Sequence, residues 1–455
     1  MNTTARPGPS ASASPLPGNQ RLRIGVVGSG IAGTGAAWLL ARRHDVTLFE
    51  AEGRCGGHTH TVDLTLDGLS WPVDTGFLVF NRKTYPHLCG LFAHLGIDLA
   101  ETTMGFSFSS ETPDLEWAGT NLASVFAQPA NLLSPVFLRM LRDILRFNRE
   151  TTLMARAGDF PPCTLGDFLE NGHYGAGLRD LYLLPMAASI WSCPKATMLD
   201  FPLRSFVQFC HNHHLLQVDG RPQWLTVRGG ARTYLQCMHR DITHVRSSAP
   251  VAALRRLRQG VELVGPGFQQ TFDAVVLACH SDEALAVLGD EATDDERAVL
   301  AAVRYQPNRA LLHSDPMLLP RRRRVWSAWN YLAGAGAATD RHGEAPVAVS
   351  YLINMLQPLP FKRPVVVTLN PYREPDPALT WREIHYSHPV FDNAAVAAQG
   401  RLPALQGHDR VWFAGAWTGY GFHEDGLRSA VKVAGDFGVT PPWSDAAVVS
   451  ARHGA

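Results

Sequence analysis

The chain has 455 residues, of which 45% are hydrophobic and 18% charged, and Lys+Arg and Asp+Glu both number 41. That length can bury a large core and form two or three domains. The absent net charge offers no global field for nucleic acid or an acidic partner. Seven cysteines, at 55, 89, 163, 193, 210, 237 and 279, form no CxxC pair. Neither a disulfide framework nor a zinc site is therefore expected, and a reducing cytoplasm is. No apolar run approaches the ~20 residues needed to span a bilayer.

Met1 to Gln20, rich in Ser, Ala, Pro and Thr, reads as a disordered tail without the apolar stretch of a secretory leader. Arg23 to Val27 then reads as a buried strand running into Gly28-Ser29-Gly30-Ile31-Ala32-Gly33, followed by a small-residue helix to about Arg42 and a second strand, Val46 to Phe49, closed by Glu50. This is a βαβ opening with GxGxxG at its first turn. Gly28 permits the tight turn, Gly30 the approach of a pyrophosphate, and Gly33 close packing of helix on strand. The helix start then offers free N–H groups and a positive dipole end to phosphate. Glu50 lies about 20 positions beyond the turn, the spacing of a ribose-binding acid. The residues to this point predict a dinucleotide site.

The next stretch, Glu50-Ala51-Glu-Gly-Arg54-Cys-Gly56-Gly57-His58, resembles the Arg-x-Gly-Gly segment shared by amine oxidases, protoporphyrinogen oxidases and carotenoid desaturases. The amine oxidases usually carry a second Arg where this chain has His58. Val73-Asp-Thr-Gly76-Phe77 resembles the Asp-x-Gly stretch passing near the isoalloxazine. Val227-Arg-Gly-Gly230 resembles the turn that re-enters the FAD domain, with Val251 at the adenine-contacting position. Val411-Trp-Phe-Ala-Gly415, running into His423-Glu-Asp425-Gly426, resembles the C-terminal flavin motif, where a helix start faces the flavin N1/O2 edge. The resemblance implies FAD as cofactor. It also implies an α/β chain with a glutathione-reductase-like Rossmann domain and an α+β substrate domain containing a mixed sheet. The discontinuous FAD-binding domain would use 21–105, 222–290 and 405–440, the substrate domain 106–221 and 291–404, with a C-terminal tail at 441–455.

Ile190-Trp191-Ser192, Trp326 to Tyr331, His388-Pro-Val-Phe-Asp392 and Gly421 to Gly426 are similar to landmarks of a bacterial group of NAD/FAD-binding, amine-oxidase-like proteins. Members of that group are often encoded beside cyclopropane-fatty-acid-synthase-like methyltransferases, which implies a lipid substrate. The monoamine oxidases attach flavin through a C-terminal cysteine and place a tyrosine two residues before the acidic-Gly pair. This chain has no cysteine after Cys279 and has His423 at that position, so FAD is expected to be non-covalent and the amine-guiding aromatic cage is not reproduced there. His423 reads either as a proton donor or acceptor, or as a helix-start residue bonding locally. His388 is the second catalytic candidate, and Trp191, Trp329 and Tyr331 are the pocket candidates.

Within the substrate domain, 308–313, 325–332, 347–354, 364–369 and 382–388 read as strands of one mixed sheet, and 131–150 and 176–215 mainly as helices. Gly334-Ala-Gly336-Ala-Ala338 lacks a third glycine, so no separate NAD(P)H domain is expected. His58-Thr-His60 and His211-Asn-His-His214 have no completing ligand set, so no metal is expected. Arg139, Arg142, Arg146 and Arg149 share a helical segment with an apolar face of Met140, Leu141, Ile144 and Leu145. That pattern most often means a packed helix with a solvated basic face, and otherwise one lying on an anionic membrane. Arg321 to Arg324 form a second basic run, read as an exposed loop. A peripheral contact with the inner membrane surface would suit a lipid substrate. The expected activity is hydride transfer between a substrate C–H and flavin N5, on a fatty-acyl or similar apolar chain. The alternatives are an amine oxidase, or a non-catalytic FAD-binding partner of a lipid-modifying enzyme.

Overall fold

The computed structural model describes residues 20–191, 198–217, 220–334 and 348–444. Ser192, Cys193, Gly336 and nearly all of both expected tails lie outside those residues. The chain divides into two compact units, one of Met1–Gly57, Leu235–Val303 and Ala397–Ala455, the other of His58–Tyr234 and Arg304–Val396.

The first unit is built on a five-stranded parallel sheet. Its order is His244–Arg246, β2 (Asp45–Phe49), β1 (Arg23–Val27), Ala274–Leu277 and Val411–Phe413. The central strands are continuous apolar runs because both faces are covered. Helix α1 (Ile31–Ala41) packs on helix His423–Asp436, and glycines set how closely. A Cβ on Gly426 would lie 2.8 Å from Ile31 Cγ2, and one on Gly35 3.0 Å from Leu427 Cδ1. A three-stranded antiparallel sheet, Ala253–Leu257, Gly260–Gly265 and Phe268–Phe272, completes this unit's β structure.

The second unit contains a seven-stranded mixed sheet ordered Thr380–Val390, Arg304–His313, Val366–Leu369, Ala348–Leu352, Trp329–Ala333, Phe106–Ser110 and Leu115–Ala118. All neighbours are antiparallel except Trp329–Ala333 with Phe106–Ser110. The five expected strands are present. Residue 325 belongs instead to a 3-10 turn, Arg323–Val325, and the strands at 106–118 were not read from the sequence. These are short segments whose strand character comes from pairing, Phe106–Ser110 with Trp329–Ala333 and Leu115–Ala118 with Phe106–Ser110, more than from their own alternation.

The helix expected over 131–150 begins later and runs further, over Pro135–Ala157. Ser134 Oγ accepts from Phe137 N at 3.3 Å, Pro135 suits the first turn, and Gly158 at φ 69° ends it. The segment 176–215 is interrupted: a π-turn spans Arg179–Leu183, then come helices Leu184–Trp191 and Leu203–Asn212. Among the described residues no helix is long and apolar enough to cross a membrane.

Candidate flavin site

In the first unit, Gly28 sits at φ 97° and its N–H donates to Phe49 O at 2.9 Å, joining the turn to the end of β2. A Cβ on Gly33 would lie 1.8 Å from the Gly28 carbonyl oxygen, a clash with backbone that only glycine avoids. Gly30 differs: an added Cβ there meets nothing within 4 Å. Gly30 is also the N-cap of α1, where no side chain caps the first turn. The start of α1 is thus without a side-chain cap beside the open space at Gly30.

Glu50 organises the walls of that space. Its Oε2 accepts from Ser29 N at 3.1 Å and from Ser29 Oγ, while Oε1 accepts from Glu52 N at 2.9 Å. A carboxylate has lone pairs beyond these three bonds, so the acid can be positioned by the protein and still accept from ribose hydroxyls. Ser29 Oγ accepts from Gly56 N at 2.9 Å. Gly57, at φ 54°, passes so close that its Cβ would be 3.2 Å from Gly30 Cα. Arg54 Nη2 donates to Gly57 O at 3.0 Å, and Ala51 is exposed at the loop's start. Ser248 and Ala249 donate to the carbonyls of Glu52 and Glu50, both at 2.8 Å, which brings Val251 within two residues of the acid's strand end. These features fit a dinucleotide: a glycine cradle that a side chain would fill, a helix start, and an acid about 20 residues on.

In the C-terminal part of this unit's sequence, Gly415 N donates to Ser429 Oγ at 2.9 Å, and a Cβ on Gly415 would overlap the Trp417 ring. Asp425 is 4% exposed. Its Oδ2 accepts from Phe422 N at 3.0 Å and its Oδ1 from Arg428 at 2.8 Å, so it closes the helix start. Burial pushes its carboxyl up, against the opposing Arg428 charge. His423 opens the helix and is nearly fully buried. Burial lowers its imidazole to about 3, and a helix start also disfavours a cation. The ring is neutral at physiological pH.

The second unit gathers a different set. The His58 ring stacks on Tyr386 at 4.7 Å and lies 5.1 Å from His388. The Tyr386 hydroxyl is 3.1 Å from Thr75 Oγ1 and 3.3 Å from His60 Nδ1. A Cβ on Gly76 would lie 2.2 Å from His58 O, and Phe77 N donates to that carbonyl at 2.7 Å. Asn370 Nδ2 donates to Asn308 Oδ1 at 2.7 Å, and Asn308 Nδ2 to His388 Nδ1 at 2.9 Å. An amide nitrogen can only donate, so His388 Nδ1 accepts in this contact.

Tyr386 and Asn308 were missed in the sequence. Tyr386 lies two residues before His388 on one strand and so shares its face, a signal that was available. Asn308 required the pairing of two strands far apart in sequence. Asp74 was also missed, although it stands in a quoted motif. It is 1% exposed and accepts from Ala231 N at 3.0 Å, from Gln357 Nε2 at 2.7 Å and from Thr61 Oγ1. It bolts the Gly229-Gly230 turn to strand Leu69–Asp74. Burial raises it to about 7 despite those donors.

The pocket candidates separate. Trp191 packs among Phe209, Phe201 and Phe206 at 4.6, 5.1 and 6.0 Å. Tyr331 stacks on Phe108 at 5.7 Å, and Trp329 meets Tyr351 edge-on at 5.4 Å. The histidines at 213 and 214 make local contacts: His213 stacks on Phe209 at 4.2 Å and His214 bonds Gln217 at 3.0 Å. Among the described residues no group of three or more His, Cys, Asp or Glu is arranged to hold a metal. In the basic run Arg321, Arg323 and Arg324 are exposed, as expected, and Arg321 and Arg322 pair with the buried carboxylate of Glu116. One expectation needs correction. Leu145 is not on the apolar inner face of its helix, being 60% exposed.

A parallel sheet with a glycine turn at its central strand in one unit, and a mixed sheet in the other, is the α/β architecture expected from the sequence. Comparison with known proteins agrees. Residues 31–308 match the family described as flavin containing amine oxidoreductase. The chain belongs to that family and is an FAD-dependent oxidoreductase. It is 29% identical over 312 residues to a carotenoid phi-ring synthase of Streptomyces griseus, covering 62% of this chain and 58% of that protein's length. Its fold is similar to wild-type putrescine oxidase bound to putrescine, with TM-score 0.63 and 16% identity over 92% of this chain and 99% of the other. It is equally similar to a fatty acid isomerase from P. acnes that produces CLA, with TM-score 0.63 and 14% identity over 90% and 97%.

Proposed function

We propose that the protein transfers hydride between a C–H of an apolar, fatty-acyl or similar lipid substrate and N5 of non-covalently bound FAD. Bound FAD supplies a two-electron acceptor or donor, and the protein supplies position and polarity. Gly28, Ser29, Gly30, Ile31, Ala32 and Gly33 hold the pyrophosphate, Glu50 and Ala51 the ribose, and Val251 the adenine. Arg54, Gly56, Gly57, His58, Gly76, Phe77, Gly415, Asp425 and Gly426 complete the cofactor contacts. Of the pocket candidates, Trp329 and Tyr331 share one strand and are the ones assigned to the substrate side, whereas Trp191 packs in a separate aromatic cluster.

The observation that carries the apolar assignment is His423. A buried imidazole held neutral near pKa 3 stands where the monoamine oxidases have the tyrosine of their amine cage. Such a ring is too weak a base to take a proton at neutral pH, so His423 orients rather than titrates. His388 is the better proton-handling group, because the Asn370–Asn308 chain holds its Nδ1 as an acceptor. The curated relative's name, a carotenoid enzyme, supports an apolar substrate. The family's name keeps amine oxidation as the second reading. The scattered cysteines, those described being free, support a reducing, cytoplasmic setting for this activity.

The purified protein, mixed anaerobically with phospholipids and free fatty acids, with amines and with NAD(P)H, distinguishes these readings. Loss of visible flavin absorbance with lipid, or reoxidation of chemically reduced flavin by an unsaturated lipid, is expected. Bleaching by amines alone overturns the lipid assignment.

A further inference from the structure

The exposed large apolar side chains of the described residues concentrate in one stretch of the second unit. Leu132 and Leu133, in the 3-10 turn Pro129–Leu133, are 53% and 86% exposed, and Val136 follows at 60%. Along helix Pro135–Ala157, Phe137, Met140, Phe147 and Thr151 are buried. The opposite face carries Leu138, Arg142, Leu145, Arg149, Leu153 and Arg156, all exposed. Steps of three or four residues place these six on a single stripe. Leucine thus alternates with arginine for the length of the outer face.

No carboxylate shares the stripe. Asp143 turns inward, 2% exposed, and accepts from Gly175 N at 3.0 Å. Glu150 lies to the side, accepting from the Tyr174 hydroxyl at 2.6 Å. Arg142 is 72% exposed and its contact is with the inward-turned Asp143 at 3.4 Å. Among the described residues Arg149 and Arg156 have no carboxylate within ion-pairing distance.

A face that meets only water gains nothing from leucine at every other position, and a contiguous apolar patch signals a partner. We infer that this stripe, with the turn before it, docks the protein on an anionic lipid surface. Leucines reach the acyl boundary while the guanidinium groups between them stay at the phosphate level. The charge pattern also decides against a second copy of the chain. A two-fold contact would set this acid-free arginine row against itself. Docking here suits a lipid substrate and deepens that reading, but binding is measured without catalysis, so the two can fail separately.

The test is co-sedimentation of the flavin-loaded protein with vesicles of phosphatidylglycerol and phosphatidylcholine in equal parts, against phosphatidylcholine alone. Binding to the anionic vesicles that weakens with added salt is expected. Arg142→Gln, Arg149→Gln and Arg156→Gln should each reduce partitioning by about fivefold. Leu145→Ser with Leu153→Ser should reduce it more than tenfold, to about the level on neutral vesicles. Retained flavin absorbance shows that each variant is folded, and the arginine variants, changed only at exposed positions, keep the test sound if the leucine pair does not fold. Equal binding to both vesicle types, or anionic binding that no variant weakens, overturns the proposal. So does concentration-dependent dimerisation that the leucine variants abolish.

Discussion

Gly33 and Gly30 sit three residues apart in one motif and do different work. At Gly33 an added Cβ would lie 1.8 Å from a backbone oxygen, and no rotamer relieves that. Gly33→Ala should cost about 3 kcal/mol or more, visible as a lower urea midpoint even without cofactor. At Gly30 an added Cβ meets open space, so Gly30→Glu should leave the apoprotein as stable as wild type while removing bound FAD by placing charge and bulk at the pyrophosphate. Stoichiometric FAD in purified Gly30→Glu would refute the pyrophosphate assignment.

His423 makes a residue-scale prediction about pH. Its folded-state pKa, near 3, is depressed below the unfolded value of about 6.5. The contribution is therefore fully present above about pH 6.5 and is lost as pH falls towards 3. At about pH 5 the loss from this group is about 2 kcal/mol. His423→Phe should flatten that part of the profile, and an unchanged acid slope in urea titrations would show that the ring is not buried and neutral.

At the scale of elements, Asp74 ties strand Leu69–Asp74 to the Gly229-Gly230 turn through Ala231 N, and Thr61 Oγ1 spans both, donating to Asp74 while accepting from Arg232 N at 3.0 Å. Its sign is opposite to that of His423. The folded pKa is raised to about 7, so its stabilising contribution is complete below about pH 4 and is lost as pH rises through about 7. Asp74→Asn should abolish that slope, about 1.4 kcal/mol per pH unit, and lower stability at every pH because an amide N–H then faces donors such as Ala231 N and Gln357 Nε2. Urea midpoints at mildly acid and mildly alkaline pH read both effects. A wild-type and variant difference that does not change with pH would place the ionisation elsewhere. The helix over Pro135–Ala157 teaches a related lesson. Its amphipathic period was legible, but Leu145 was assigned to the wrong face, because the inward direction is set by Leu203–Asn212 and the other elements packed on it.

For the whole molecule, the local sequence was enough for the glycine turn and the parallel strands around it. The turn Gly28 to Gly33, the strands around it and Glu50 are contiguous, and glycine spacing reports directly on backbone approach, so their geometry could be read before any folding. The five strands of the mixed sheet were legible for the same local reason. What only the tertiary structure decided is which distant side chains share a site: Asn308 and Asn370 holding His388, Tyr386 over His58, Asp74 under a turn more than 150 residues away. Those partnerships depend on strand register and close packing, which no local pattern encodes. The family, the flavin and the oxidoreductase chemistry thus lay in the sequence. The neutrality of His423, the mooring of His388 and the outward turn of the leucine–arginine stripe came from burial and register, because desolvation and facing are properties of the folded chain.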